Sequence, residues 1–216
     1  MKQDKTVLKR NNILRAALKI FGEKGYNYAT LSQIAAEAGV SRGLIHFYFE
    51  NKLDLIVSLM LFFLEKLNST HQQVLTKEKD PVKKLRLYFA VFNDIILNDA
   101  DSLYWGNILK EGLPQDQILK SERLRVKFEK ITEENKNLMI TIIDIIKKAQ
   151  TAGLIDNSIS PQMLSLMLGG SSQLLYYGLF LQRTRNTIIN NAESIDESKI
   201  KNAIETLINK FIIQLK

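Results

Sequence analysis

Apolar residues recur along much of this chain with the spacing of an α-helix. One stripe near the N-terminus occupies positions i, i+3, i+4 and i+7: Leu14, Ala17, Leu18 and Phe21. A longer stripe of the same kind lies near the C-terminus: Ile200, Ala203, Ile204, Leu207, Ile208, Phe211 and Leu215. No run alternates apolar with polar residues, so strands are not indicated. The pattern predicts a chain that is almost entirely helical.

Capping residues and helix breakers divide this pattern into segments. Asp80-Pro81 places a capping side chain before a proline, Thr30 with Gln33 fits a capping box, and Gly39 marks a break. The predicted fold class is all-α, with about nine helices. Their expected bounds are 6–24, 31–38, 42–48, 52–76, 81–98, 101–111, 118–152, 161–186 and 197–214.

Composition limits the class of protein. The chain has 216 residues, of which 45% are apolar, and this is enough to bury a sizeable core. It contains no cysteine, which excludes disulfide bonds, thiolate zinc sites and cysteine nucleophiles. The longest apolar stretch, from Ile56 to Leu64, is about half as long as a membrane span. We therefore expect a cytoplasmic protein without a membrane segment.

Positive charge is concentrated near the N-terminus. Residues 1–49 hold eight Lys or Arg and three acidic residues, whereas the whole chain has a formal net charge of +7. Most of the excess charge thus lies in under a quarter of the chain, which is typical of a nucleic-acid-binding module. On charge alone, a solvated basic helix face is the open alternative.

A helix-turn-helix pattern lies within this basic region. Residues 30–49 read TLSQIAAEAGVSRGLIHFYF, which predicts two short capped helices joined by a tight turn at Gly39. Ile34 faces inward from the first helix, and Ile45 and Phe49 face inward from the second. The second helix would then enter the major groove of DNA with its outward side chains.

The longer stretch ILRAALKIFGEKGYNYATLSQIAAEAGVSRGLIHFYFENKLDLI resembles the N-terminal DNA-binding domain of TetR/AcrR-type transcriptional regulators. The resemblance covers residues 8–58. It rests on an amphipathic first helix ending F-G-E-K-G-Y, then I-A-x-x-A-G-V-S, an aromatic-rich helix and N-K-x-x-L. It implies a three-helix helix-turn-helix domain over residues 1–50, and a C-terminal helical domain for effector binding and dimerisation over residues 51–216.

The resemblance also implies which residues contact double-stranded DNA. Arg42 would pair with a guanine, and Leu44 would cover a thymine methyl group. His46 stands where tyrosine is usual, which puts a phenol–phosphate contact in doubt. Gly43 as an ordinary helix residue and Phe47 as a core residue are open alternatives. The implied DNA-binding set is Thr30, Ser41, Arg42, Gly43, Leu44, His46, Phe47, Tyr48 and Lys52.

The last two predicted helices are candidates for a homodimer interface. The helix over residues 161–186 is apolar on nearly all sides, so both of its faces must be buried. With the stripe at residues 200–215 it would form a four-helix interface with a second copy, although both helices could instead be monomer core. The expected interface residues are Met163, Met167, Gly170, Leu174, Tyr177, Leu181, Ile204, Leu207, Ile208 and Phe211.

Aromatic and methionine residues of the middle helices are candidates for an effector pocket. The resemblance implies a site there for a small hydrophobic effector, but aromatic residues at helical spacing are also typical of plain core. The expected lining residues are Phe63, Phe89, Phe92, Tyr104, Trp105, Met139, Met167 and Tyr176.

Enzyme motifs are not found in the sequence. The two histidines lack the acidic spacing of a metal site, and neither GxGxxG nor a P-loop occurs, so we expect no enzymatic activity, metal or cofactor. The resemblance implies a homodimeric repressor that a small hydrophobic effector releases from a palindromic operator. The open alternative is a DNA-binding protein of the same fold without an effector.

Overall fold

The computed structural model describes residues 2–97, 114–171 and 197–212. These ranges confirm the predicted all-α fold. The helices are α1 (Lys2–Tyr28), α2 (Leu31–Ala38), α3 (Arg42–Tyr48), α4 (Lys52–Leu75), α5 (Pro81–Leu97), α6 (Gln115–Lys120), α7 (Glu122–Thr151), α8 (161–171) and α9 (Glu197–Phe211). Over the same ranges, no helix combines the length and the hydropathy needed to cross a membrane. The predicted helix 101–111 and the later part of 161–186 lie outside the described residues.

The end of α1 contains a kink at Gly25, one residue after the predicted end of the first helix. Gly25 has φ 78° and ψ 160°, a backbone conformation that glycine adopts without the steric cost a side chain would add. Helical residues resume after the kink and continue to Tyr28, beyond the predicted end at residue 24.

The single helix predicted over residues 118–152 is wrong, because the chain forms α6 and α7 with Ser121 between them. Ser121 has extended backbone angles, φ −102° and ψ 118°. Its hydroxyl accepts a hydrogen bond of 3.4 Å from the Leu124 amide, in the first turn of α7. A serine side chain that satisfies a helix-start amide favours this kind of interruption, without a glycine or proline.

The described residues pack as two compact units, of which the first comprises Met1–Lys66 and Ala100–Glu134. Its core includes Phe21 of α1, Ile34 of α2, Ile45 of α3 and Leu55 of α4, all fully buried. The first half of α4 and the start of α7 therefore pack with the helix-turn-helix segment. The predicted boundary between a DNA-binding domain and an effector-binding domain, after residue 50, does not coincide with the boundaries of this unit. As a division by function it stays a prediction.

The second unit comprises Leu67–Asp99 and Asn135–Lys216. An isolated antiparallel bridge within it pairs Ile155 with Ile212. Its core collects apolar residues from α4, α5, α7, α8 and α9, among them Leu75, Leu85, Phe89, Ile146, Ala149, Leu164, Leu168, Ile200, Ile204 and Ile208. Ile204 and Ile208, which were predicted for a dimer interface, are 3% and 1% exposed in this core, and their part in an interface stays a prediction.

A buried polar pair lies in the second unit. The imidazole of His71 stacks on the ring of Tyr88, with centroids 4.3 Å apart, and its Nε2 lies 2.9 Å from the Tyr88 carbonyl oxygen. The Tyr88 hydroxyl donates to the Leu138 carbonyl oxygen at 3.2 Å. Burial raises the pKa of Tyr88 to about 12. Burial lowers the pKa of His71, against the opposing effect of backbone hydrogen bonds to Tyr88 and Leu67.

Candidate DNA-recognition surface

The turn between α2 and α3 has the geometry expected of a helix-turn-helix. Thr30 caps α2 through a reciprocal capping box with Gln33, as predicted. Gly39 adopts the left-handed conformation at φ 63° and ψ 35°. The amides of Gly39 and Val40 donate to the carbonyl oxygens of Ala36 and Ala35, at 3.2 Å and 3.0 Å. This Schellman motif ends α2 within one residue and starts the chain toward α3.

Helix α3 has one buried face and one exposed face. Ser41 caps the helix by accepting a 3.2 Å hydrogen bond from the Leu44 amide. Ile45 and Phe49 are 0% and 1% exposed, and they fix the helix on the core of the first unit. The opposite face presents Arg42, Gly43, His46 and Phe47. Phe47 is 75% exposed, so it is a surface residue and not part of the core.

Leu44 and Tyr48 are less accessible than the other members of the predicted set. Both are half-buried and pack against the core of the first unit. The Tyr48 hydroxyl donates to the Thr6 carbonyl oxygen at 3.3 Å, and its ring lies edge-on to Phe47 at 5.1 Å. A DNA contact by this hydroxyl would require the bond to Thr6 to be exchanged.

Lys52 has partners within the chain. Its ammonium group donates to the carbonyl oxygens of Tyr26 at 2.7 Å, Asn27 at 3.2 Å and Ala29 at 3.0 Å. Its Nζ also lies 4.6 Å from the centroid of the Tyr26 ring. These three acceptors match the three ammonium protons, so Lys52 holds the connection between α1 and α2. A phosphate contact would require one of these bonds to be exchanged.

The basic residues of α1 differ in their surroundings. Arg10 lies over the ring of Phe49, 5.6 Å from its centroid, and Lys19 pairs with Glu37 at 2.8 Å. Lys9 and Arg15 are exposed. The exposed pair can approach a phosphate backbone, whereas Arg10 and Lys19 support the packing of α1 against neighbouring segments.

Sequence reasoning missed the residues that support α3 from a distant helix. Arg123 and Lys127 of α7 contact Asp54 of α4, although 69 and 73 positions separate them along the chain. No periodicity or short motif links such distant residues. Tyr28, two residues before the Thr30 cap, is 80% exposed.

The described members of the predicted effector set belong to both units. Phe89 is buried in the second core and Phe92 packs against it, whereas Phe63 packs against the first core. Met139 and Met167, which were predicted for the same pocket, are 47% and 44% exposed. Tyr104, Trp105 and Tyr176 lie outside the described residues. A cleft of about 300 Å³ is found between α5 and α9, lined largely by polar residues: Arg86, Phe89, Ala90, Asn93, Asp94, Lys201, Asn202, Ile204 and Glu205.

Helix α8 has an exposed apolar face. Leu164 and Leu168 are buried in the second core, whereas Met163, Leu166 and Met167 are 54%, 55% and 44% exposed. Gly170 is half-buried on the same helix. Of the remaining predicted interface residues, Leu207 and Phe211 pack partly buried against the second core. Leu174, Tyr177 and Leu181 lie outside the described residues.

Comparison with known proteins identifies the family of the N-terminal domain. The family model described as "Bacterial regulatory proteins, tetR family" matches residues 13–59, which contain α2, α3 and the Asp54 region. The chain therefore contains the N-terminal domain of the TetR family over these residues. The curated relatives that it matches are named as HTH-type transcriptional regulators, which agrees with a DNA-binding regulator and not with an enzyme.

Two relatives and one solved structure indicate how far the similarity extends. The regulator TtgR of Pseudomonas putida is 29% identical over 154 residues, which span 68% of this chain and 70% of TtgR. YuxN of Bacillus subtilis is 32% identical over 104 residues, but these span only 48% of this chain and 35% of YuxN. The crystal structure of FadR from Bacillus subtilis in complex with stearoyl-CoA has the same fold, with a TM-score of 0.71 at 20% identity, over 91% of this chain and 96% of FadR.

Proposed function

We propose that this protein is a homodimeric repressor of the TetR family that binds a palindromic operator and is released from it by a small hydrophobic effector. The observation that carries the proposal is the division of α3 into two faces. Ile45 and Phe49 anchor the helix, and Arg42, His46 and Phe47 are exposed beside one another. A cation, an imidazole and an aromatic ring on one short helix suit guanine edges, phosphates and thymine methyl groups.

The proposal of a dimer is supported by the small size of α3 and by the surface of α8. A helix of seven residues contacts few base pairs, so two copies on half-sites about one helical turn apart are needed for specificity. Met163, Leu166 and Met167 expose contiguous apolar surface on α8. Three large apolar side chains on one helix face favour a protein partner, and a second copy gives the symmetry of a palindrome.

The proposal of an effector is supported by α4 and by the FadR complex. Helix α4 contributes Leu55 to the first core and Leu75 to the second, so one helix is shared by both units. An effector bound among the helices of the second unit could act on α4 and thereby alter the spacing of the two α3 helices. The FadR structure of the same fold contains stearoyl-CoA, which makes a long-chain acyl-CoA the first effector to test.

Fluorescence anisotropy tests the proposal on the intergenic DNA beside the protein's own gene. At physiological salt with excess random competitor, we expect binding about 1,000-fold tighter to this DNA than to random DNA. Stearoyl-CoA added to the complex should release the DNA. Specific binding that neither stearoyl-CoA nor other hydrophobic ligands weaken would favour the alternative, a regulator of the same fold without an effector. Binding that random competitor abolishes at this DNA and at every other promoter would contradict sequence-specific repression.

A further inference from the structure

A fully buried carboxylate lies just after the DNA-reading helix. Asp54, in the first turn of α4, is 0% exposed. Its Oδ2 accepts hydrogen bonds from the Glu50 amide at 3.0 Å and from Nη2 of Arg123 at 3.1 Å. Its Oδ1 is bound by the ammonium group of Lys127, which also donates to the Ser58 hydroxyl at 2.8 Å. A buried carboxylate needs such partners, because burial removes the water that would otherwise stabilise its charge.

The Arg123 guanidinium contacts more than the carboxylate. Its Nη2 also donates to the carbonyl oxygen of Tyr48, the last residue of α3, at 3.2 Å. Its Nη1 lies 3.2 Å from Oε1 of Glu50 in the loop that follows. One planar group from α7 thus binds the end of α3, the loop after it and the start of α4. The C-terminal carbonyl of a helix is also where a positive charge is favourable.

We propose that Arg123 is a positioning residue for DNA recognition, which sets the orientation of α3 through Tyr48, Glu50 and Asp54 without contacting DNA. Lys127 holds the second oxygen of Asp54, so Arg123 meets an anchored carboxylate and not a mobile one. The inference rests on the proposed role of α3 as the reading helix. The first turn of α7 thus contributes to operator specificity, in addition to the DNA-contacting face of α3.

Three possible roles of Arg123 predict different DNA-binding behaviour: stabilising the fold, contacting phosphate and orienting α3. If Arg123 only stabilised the fold, its loss would reduce the amount of folded protein and weaken specific and non-specific binding alike. If it contacted phosphate, its loss would lower the salt dependence of binding. If it orients α3, its loss should weaken operator binding more than random-DNA binding, with an unchanged salt dependence.

The test compares Arg123→Ala with Arg125→Ala in the full chain. Arg125 is two residues away, is exposed and pairs with Glu129 one turn along its own helix at 3.8 Å, so its removal changes the net charge equally. We expect Arg123→Ala to weaken operator binding about tenfold, similar to the loss of one base contact, and to reduce the operator-to-random ratio. Arg125→Ala should change operator binding less than about twofold. Equal operator and random losses, a reduced salt dependence or wild-type binding by Arg123→Ala would overturn the proposal.

A second variant covers the case in which Arg123→Ala does not fold. Arg123→Lys keeps a charge beside Asp54 but cannot hold Tyr48, Glu50 and Asp54 with one planar fork. Hydrogen exchange of the α3 amides is then measured in the free protein, which needs no operator. We expect faster exchange over residues 44–49 in Arg123→Lys than in Arg125→Lys, and equal exchange would overturn the proposal. One further outcome is that the wild-type protein binds no operator while the exchange of the α3 amides still depends on Arg123. That outcome would contradict the proposed function but would still show that Arg123 holds α3.

Discussion

Helices α3 and α8 are both held by a buried apolar face, but their exposed faces differ in chemistry. On α3, Ile45 is buried and the outer side chains include Arg42 and His46. On α8, Leu164 is buried and the outer side chains include Leu166. The inner faces are alike because each must attach a helix to a core. The outer faces indicate the partners, since a charged and aromatic surface suits DNA and an apolar one suits protein.

This comparison separates two requirements for operator binding. The face of α3 determines which bases one chain reads, and the face of α8 determines whether two chains read together. A substitution on α8 should therefore affect DNA binding only through the number of chains on the operator. A substitution on α3 should affect it without changing that number.

The largest effect is expected from Leu166→Glu. A charge on the exposed face of α8 should prevent self-association, so that operator binding falls about 1,000-fold, to the level of random DNA. Sedimentation and anisotropy measure the two effects. Met139→Glu is the matched control, because Met139 is an exposed apolar residue of α7 at 47% exposure and lies outside the proposed interface. A Leu166→Glu protein that stays dimeric would refute the role of this face.

A smaller loss is expected from Arg42→Ala. The variant should stay dimeric and lose about 1–3 kcal/mol of operator binding, with relaxed preference at one base pair of each half-site. Arg125→Ala removes an exposed charge from α7 and serves as the control. Equal losses of affinity for operator and random DNA would indicate that Arg42 contacts a phosphate and not a base.

Lys52→Ala should affect stability more than DNA binding. Three carbonyl oxygens, two at the end of α1 and one in the connection to α2, lose their donor, so we expect the free energy of unfolding to fall by about 1 kcal/mol. Because the ammonium group already has these acceptors, the salt dependence of operator binding should stay unchanged. A decrease of about one in the logarithmic salt slope would instead identify Lys52 as a phosphate ligand.

The smallest effect concerns pH. Burial lowers the pKa of His71 in the folded chain, so the unfolded chain binds its proton first as the pH falls below about 6.5. The contribution of His71 to the free energy of unfolding is thus complete above that pH and is lost as the pH falls toward the pKa of His71 in the folded chain. Denaturant titrations at several pH values should show a weaker acid dependence in His71→Gln. An acid dependence in His71→Gln equal to that of the wild type would contradict this account.

Local features of the DNA-recognition segment could be predicted from the sequence. Thr30, Gly39 and Ser41 have the capping and turn roles that their types and spacing indicate, because these interactions join residues at most five positions apart. The exposure of Arg42 and the burial of Ile45 follow from the same helical period. Such short-range rules depend little on the rest of the molecule.

Contacts between distant segments could not be predicted. Periodicity placed Ile204 on an apolar face, but only the structure shows that the core of its own unit covers that face. The Asp54 contacts with Arg123 and Lys127 likewise depend on how α4 and α7 pack. A carboxylate one turn into a helix looks like an ordinary exposed residue in the sequence, whereas here it is fully buried and binds two cations.

The most direct test of two α3 helices reading together uses DNA with one damaged half-site. Once footprinting has located the operator, anisotropy compares the intact site with a site in which one half is replaced by random sequence. We expect two chains on the intact operator and a loss of about 1,000-fold on the altered one, close to binding of random DNA. Equal affinity for the two DNAs, with one chain bound to each, would contradict the account.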